Sequence, residues 1–140
     1  MLRAKHNSPH EREIELYTTQ FEEDREVIPA GFQVLSNLDR SVLDVNSQLT
    51  KRKLPLIADI LLKVKEAAPF DYVIFTNMDI ALMPYFYDAV FSYLEKGHDA
   101  LVINRRRISD RYKSVEELPL MYADLGKSHP GFDCFVIKAT

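Results

Sequence analysis

The sequence predicts an α/β fold, with a mostly parallel central sheet flanked by helices. Three observations lead there. Tyr72 to Phe75 is continuously apolar, as suits a strand covered on both faces. Apolar residues at helical spacing precede it, from Ile57, and follow it, from Tyr87. Strand, helix and strand then succeed one another between Tyr72 and Ile103, about the length of a βαβ unit, whose crossover is almost always right-handed. Alternation of this kind builds sheets with helices on their faces.

The elements follow in order. Residues 1–12 carry no periodic signal and are expected as a mobile tail, with His6 and His10 facing solvent; residues 13–140 are expected as one α/β domain. Ile14 to Phe21 alternates loosely and reads as a strand. Glu22-Glu23-Asp24 reads as a solvated turn, Pro29-Ala30-Gly31 as a turn, and Phe32 to Leu35 as a second short strand. Residues 36–52 are polar and aperiodic, a loop with some helical turn. Pro55 suits the first position of a helix, where its missing N–H costs nothing. Ile57, Ile60, Leu61 and Val64 form that helix's apolar stripe, and Ala67-Ala68-Pro69 ends it. After the strand Tyr72 to Thr76, Pro84 opens another helix with a stripe of Tyr87, Val90, Phe91 and Leu94, and Gly97 closes it. Ala100 to Ile103 is a strand running into Asn104 and three arginines. Ser114 with Glu117 has the spacing of a capping box. Residues 126–131 read as a loop, and Phe132 to Ile137 as a last strand.

Composition narrows the function classes. A chain of 140 residues can bury a real core. A net charge of -3 gives no general pull toward nucleic acid or an anionic membrane. No apolar run approaches the roughly 20 residues that span a bilayer, and the basic, polar start has no apolar stretch of a secretory signal. Cys134 is the single cysteine, so there is no disulfide framework, and its apolar surroundings suit a buried thiol. A cytoplasmic setting is the expectation. The chain stops right after a strand, where such domains normally add a covering helix, so an incomplete member of a larger fold is expected. An uncovered strand also invites association, so a homo-oligomer is possible.

The candidate chemistry lies in "YVIFTNMDIAL", where an apolar strand delivers Asn77 and Asp79 at its end. In open α/β sheets ligands bind beyond the carboxyl ends of the strands. Asn104 and Arg105 to Arg107 occupy the end of the next strand. A carboxylate suits Mn²⁺ or Mg²⁺, which bind through one or two carboxylates plus substrate phosphates. Arginine offers a planar fork for phosphate. Asp79 reads equally as a helix N-cap, Asn77 as a turn residue, and the arginines as a solvated strand end.

The stretch "FDYVIFTNMDIALMPYFYDAVFSYLEKGHDALVINRRRI" resembles the core of GT-A-type glycosyltransferases, the Rossmann-like nucleotide-diphospho-sugar transferase fold. The resemblance covers roughly residues 50–137. In that family an apolar strand ends in a D-x-D motif whose acids hold Mn²⁺ or Mg²⁺ on the donor's diphosphate. Here it reads Asn77-Met78-Asp79, so the first acid is a neutral amide. The resemblance implies a nucleotide-sugar donor and an acceptor as partners. It implies metal contacts from Asn77 and Asp79, and donor contacts from Thr19, Arg52, Lys53, Arg105 and Arg106. It further implies an acceptor-facing, catalytic role for Asp133 in "HPGFDCFVIK"; the residues alone read Asp133 as a strand-entry turn. His129 reads as a loop histidine or a metal ligand. The amide in the motif and the early stop also fit a non-catalytic domain that binds a nucleotide or a protein. Another α/β nucleotide binder finds little support, because no G-x-G-x-x-G or G-x-x-x-x-G-K-[ST] is present among only four glycines.

Overall fold

The structure, a computed structural model, describes residues 1–46, 48, 51–67 and 69–139. In chain order its elements are α1 (Leu2–Asn7), a 3-10 turn (Glu11–Glu13), β1 (Tyr17–Thr18), a 3-10 segment (Glu22–Val27), β2 (Gln33–Val34), α2 (Val42–Val45), α3 (Ile57–Ala67), β3 (Tyr72–Thr76), α4 (Phe86–Glu95), β4 (Ala100–Arg107), a 3-10 turn (Val115–Glu117), α5 (Leu118–Ala123) and β5 (Lys127–Lys138). They group into two compact units. One comprises Arg3–Glu11 and Phe70–Thr140 with Met1; the other comprises Arg12–Pro69 with Leu2.

The expected mostly parallel sheet is not found. β1 and β2 make a two-stranded parallel pair, and the main sheet has the order β3-β5-β4, antiparallel throughout. β3 and β4 do run the same way, as the strand–helix–strand connection requires, but they are not neighbours. β5 lies between them and pairs with both. The apolar run of β3 reports how much of it is covered, not which way its partner runs. β3 is an edge strand of five half-buried residues rather than a central parallel one.

β5 forms the centre of this unit. Val136 is 0% exposed and Cys134 is buried, together with Leu82 and with Phe86, Tyr87 and Val90 of α4. On the opposite face Phe75 stacks with Phe135, ring centroids 6.4 Å apart. α4 begins at Phe86, two residues beyond Pro84, and Gly97 follows its end with φ +87°. Ser114 and Glu117 form the expected capping box, with Glu117 accepting from Ser114 N at 2.9 Å. The first twelve residues contain a helix rather than a featureless tail: Ser8 is buried and donates to Asp88 at 2.5 Å, and the His10 ring stacks on Phe91.

In the second unit the expected Ile14–Phe21 strand contracts to β1, which pairs Tyr17 with Gln33 and Thr18 with Val34. Ser41 caps α2, and Asp44 accepts from its N–H at 2.7 Å. Pro55 does not open α3; it bridges to Ser41, and the helix starts at Ile57. Ala68, expected at the end of that helix, and Ser47, Leu49 and Thr50 lie outside the described residues. No helix among the described residues is long and apolar enough to cross a membrane.

Burial in the first unit has a consequence for alkaline stability. Desolvation pushes the Tyr87 phenol up to about 12, with the nearby Cys134 adding to the effect, and burial also raises the Cys134 thiol. Both groups hold their protons more tightly folded than unfolded. Their contribution is therefore complete below the unfolded thiol and phenol values, about 8.5 and 10. It is lost as pH climbs through them toward 12. Tyr87→Phe is expected to move the alkaline unfolding midpoint, followed by circular dichroism, to higher pH. An unchanged midpoint would mean that Tyr87 ionisation does not drive the transition.

Candidate functional site

Because β3 and β4 both oppose β5, their carboxyl ends fall on one rim, with the first half of β5 between them. Thr76 faces Cys134 in the register, which sets Asn77 beside Asp133. Its Nδ2 donates to Asp133 Oδ1 at 3.5 Å. The β4–β5 ladder is irregular at this level. Ile103 faces Cys134 and Asn104 faces Phe132, leaving Asp133 as an extra residue; Arg106 then faces Ser128, leaving His129, Pro130 and Gly131 opposite Arg105. Bulges re-aim side chains, and proline and glycine are tolerated within them.

Four side chains converge as a result. Arg105 Nε lies 2.9 Å from Asp133 Oδ2, and Arg105 Nη2 lies 3.1 Å from His129 Nε2. Arg107 Nε donates to His129 Nδ1 at 2.9 Å, and His129 Nε2 is 3.6 Å from Asp133 Oδ2. A guanidinium can only donate, so the imidazole accepts from Arg107 at Nδ1, while Arg105 Nη2 stands against Nε2, where the roles depend on the tautomer. Gly131 makes room for the arrangement: a Cβ there would stand 3.0 Å from His129 Nε2 and 3.9 Å from Asp133 Oδ2.

The cluster is cationic and largely shielded. Side-chain exposure is 29% for Arg105, 14% for His129 and 17% for Asp133. Of its two permanent positive charges, that on Arg105 pairs with the Asp133 carboxylate and that on Arg107 meets the His129 ring. Arg105 Nε and Asp133 Oδ2 are both closed to solvent, yet their approach is not an aligned hydrogen bond. They form an ion pair with hydrogen-bonding capacity left over.

Arg106 turns away, donating through Nη2 to Gly126 O at 2.9 Å and through Nε to Leu125 O, and so ties β4 to the start of β5. Asp79 sits in the turn after β3, which Ile80 N closes on Asn77 O at 3.3 Å. It is exposed and, among the described residues, takes no hydrogen-bond or ion-pair partner. It does not cap α4, whose N-cap is Tyr85. Thr19, Arg52 and Lys53 belong to the second unit. Thr19 donates to Ser36 O at 2.8 Å, Lys53 pairs with Glu23 and lies 4.2 Å over the Phe21 ring, and Arg52 is exposed in a bend.

The described residues contain no group of three or more His, Cys, Asp or Glu side chains placed to hold a metal. Asp79 and Asn77 offer one charged and one neutral oxygen donor. That donor set fits an ion that brings waters and substrate phosphates with it, as Mg²⁺ does, and not one that needs a protein cage.

His129 is the member of the cluster that the sequence reading did not join to it, and Arg107 was read only as one of three arginines at a strand end. A usable signal was present. In a strand, residues two apart share a face, so extending β4 through the arginines sends Arg105 and Arg107 one way and Arg106 the other. Pro130 and Gly131 gave no matching signal, because they mimic a loop.

No protein-family model matches the chain, and neither the curated proteins nor the solved structures provide a match.

Proposed function

We propose that this chain binds a nucleotide-diphospho-sugar together with Mn²⁺ or Mg²⁺ and transfers the sugar to an acceptor, as a glycosyltransferase-like domain. The observation that carries the reading is the convergence of Asn77, which follows β3, with Arg105 of β4 and Asp133 of β5; Asp79 is exposed in the same turn as Asn77. Asp79, with the Asn77 amide oxygen, would hold the cation. When bound, that ion supplies Lewis-acid neutralisation of the departing diphosphate. Arg105 adds fixed positive charge on the same rim, where charge develops on the leaving group. Asp133 faces the acceptor and takes the proton of its hydroxyl, which requires an approach of about 3 Å.

One observation favours a second reading, a binding module without turnover. Both oxygens of Asp133 are engaged, one by Arg105 and one by Asn77. A carboxylate so held does not act as a base.

Thermal unfolding with a panel of nucleotide-diphospho-sugars, each with Mn²⁺ and again with EDTA, tests the proposal. A ligand at 100 times its dissociation constant adds about 2.7 kcal/mol of stability. The expected result is a rise in unfolding temperature that requires the cation. A rise indifferent to EDTA would favour the binding module. No rise with any donor would overturn the assignment.

A further inference from the structure

We infer that Arg105, Arg107 and His129 form a phosphate subsite whose resting occupant is the carboxylate of Asp133, so that an arriving phosphate displaces Asp133 and frees it. The inference deepens the nucleotide-sugar reading and rests on it for which phosphate arrives. The site itself rests on geometry.

Four features make Asp133 a poor occupant. The guanidinium of Arg105 is split: its Nε meets one carboxylate oxygen at 2.9 Å while its Nη2 is aimed at a histidine nitrogen. A matched carboxylate would take both nitrogens side by side. The Nε–Oδ2 approach leaves both atoms shielded from water without an aligned hydrogen bond. Arg107 spends its Nε on a neutral imidazole nitrogen instead of an acid. Asn77 reaches the other oxygen only at 3.5 Å.

The surroundings favour a more highly charged anion. Arg105 is paired with the Asp133 carboxylate, whereas Arg107 meets the His129 ring and brings a second positive charge to the cluster. The diphosphate of a nucleotide-sugar carries a negative charge on each of its phosphates, more than a single carboxylate, and offers non-bridging acceptor oxygens on both. Gly131 lets the His129 ring sit close to the backbone, where a Cβ would stand 3.0 Å from Nε2. The bulge that makes Asp133 an extra residue also leaves it without a register partner on β4.

Displacement resolves the conflict between the two functional readings. Asp133 is masked while the site is empty and is released as a base when the donor's phosphate takes Arg105. The device makes the base available only when there is a sugar to transfer.

Isothermal titration of inorganic pyrophosphate, without divalent cation, into the whole chain tests this. Asp133→Asn removes the competing charge and keeps the side-chain shape. It is expected to tighten pyrophosphate binding by about tenfold. Arg105→Gln is expected to weaken binding by about tenfold or more. If Asp133→Asn binds pyrophosphate no more tightly than the parent chain, or if neither binds it, the inference is overturned. Should either variant fail to fold by circular dichroism, Arg107→Gln, on an exposed part of β4, is expected to weaken binding by about tenfold, and unchanged affinity there is equally contradictory. Tighter pyrophosphate binding by Asp133→Asn, in a chain that no nucleotide-sugar stabilises, would sustain the subsite and remove the donor assignment alone.

Discussion

Asp79→Ala is expected to abolish the cation dependence of donor binding, weakening binding in Mn²⁺ by at least about tenfold with no change in unfolding temperature. The two halves of this expectation have separate causes. Asp79 is the single charged donor of the Asn77-Met78-Asp79 turn, because position 77 is a neutral amide. Without it the site offers only weak, uncharged oxygens, too few for an ion that prefers one or two carboxylates. The unchanged stability follows from its surroundings: it is exposed, caps no helix and has no partner among the described residues. Titration calorimetry in Mn²⁺ and in EDTA measures the first half, and thermal unfolding the second. A fall in unfolding temperature with no effect on binding would return Asp79 to a purely structural role.

Val136→Ala carries the largest expected cost to stability. Val136 lies near the C-terminal end of β5, faces Ile74 on β3 and Leu101 on β4 in the register, and is wholly buried. Removing two methyl groups forfeits about 0.8 kcal/mol of burial for each, and the cavity left behind adds to that. The sum is about 2–3 kcal/mol. That corresponds to a fall of roughly 10 °C for a chain of this length. Because β5 holds β3 and β4 in place, the Asn77–Asp133–Arg105 cluster should loosen with it. Pyrophosphate affinity should fall in the same variant although Val136 touches no ligand. Differential scanning calorimetry tests the stability claim, and a drop of under about 1 kcal/mol would mean that β5 is not the centre of the unit.

Local chemistry made some of this fold legible. The limits of β3 follow from an apolar run meeting Phe70-Asp71 on one side and Asn77 on the other. The Ser114–Glu117 box and the glycine after α4 depend on neighbours a few residues apart, and these were readable. The direction of pairing was not. It is decided by which distant segment reaches the edge of β3, and β5 reaches it from the far end of the chain. The same long-range pairing hid the site. Asp133 was legible as a candidate, but its partners Arg105 and His129 meet only because β5 inserts between β3 and β4 and bulges there. Lys53, expected by resemblance near the donor's phosphates and by composition in a solvated basic stretch, pairs its ammonium with Glu23 and lies over the Phe21 ring.

We propose that the polar ends of these strands assemble a cation–diphosphate site that neither the cation nor the nucleotide-sugar completes alone. Electron paramagnetic resonance of free Mn²⁺ tests it most directly. The signal is recorded while the chain is added, first with Mn²⁺ alone and then with each nucleotide-diphospho-sugar. With two protein oxygens at most, Mn²⁺ alone is expected to stay largely free. With the matching donor present, the free signal should fall in proportion to added chain and recover in Asp79→Ala. Loss of the signal without any nucleotide would reveal a metal site built from other residues. A signal that the chain leaves unchanged with every donor would contradict the account.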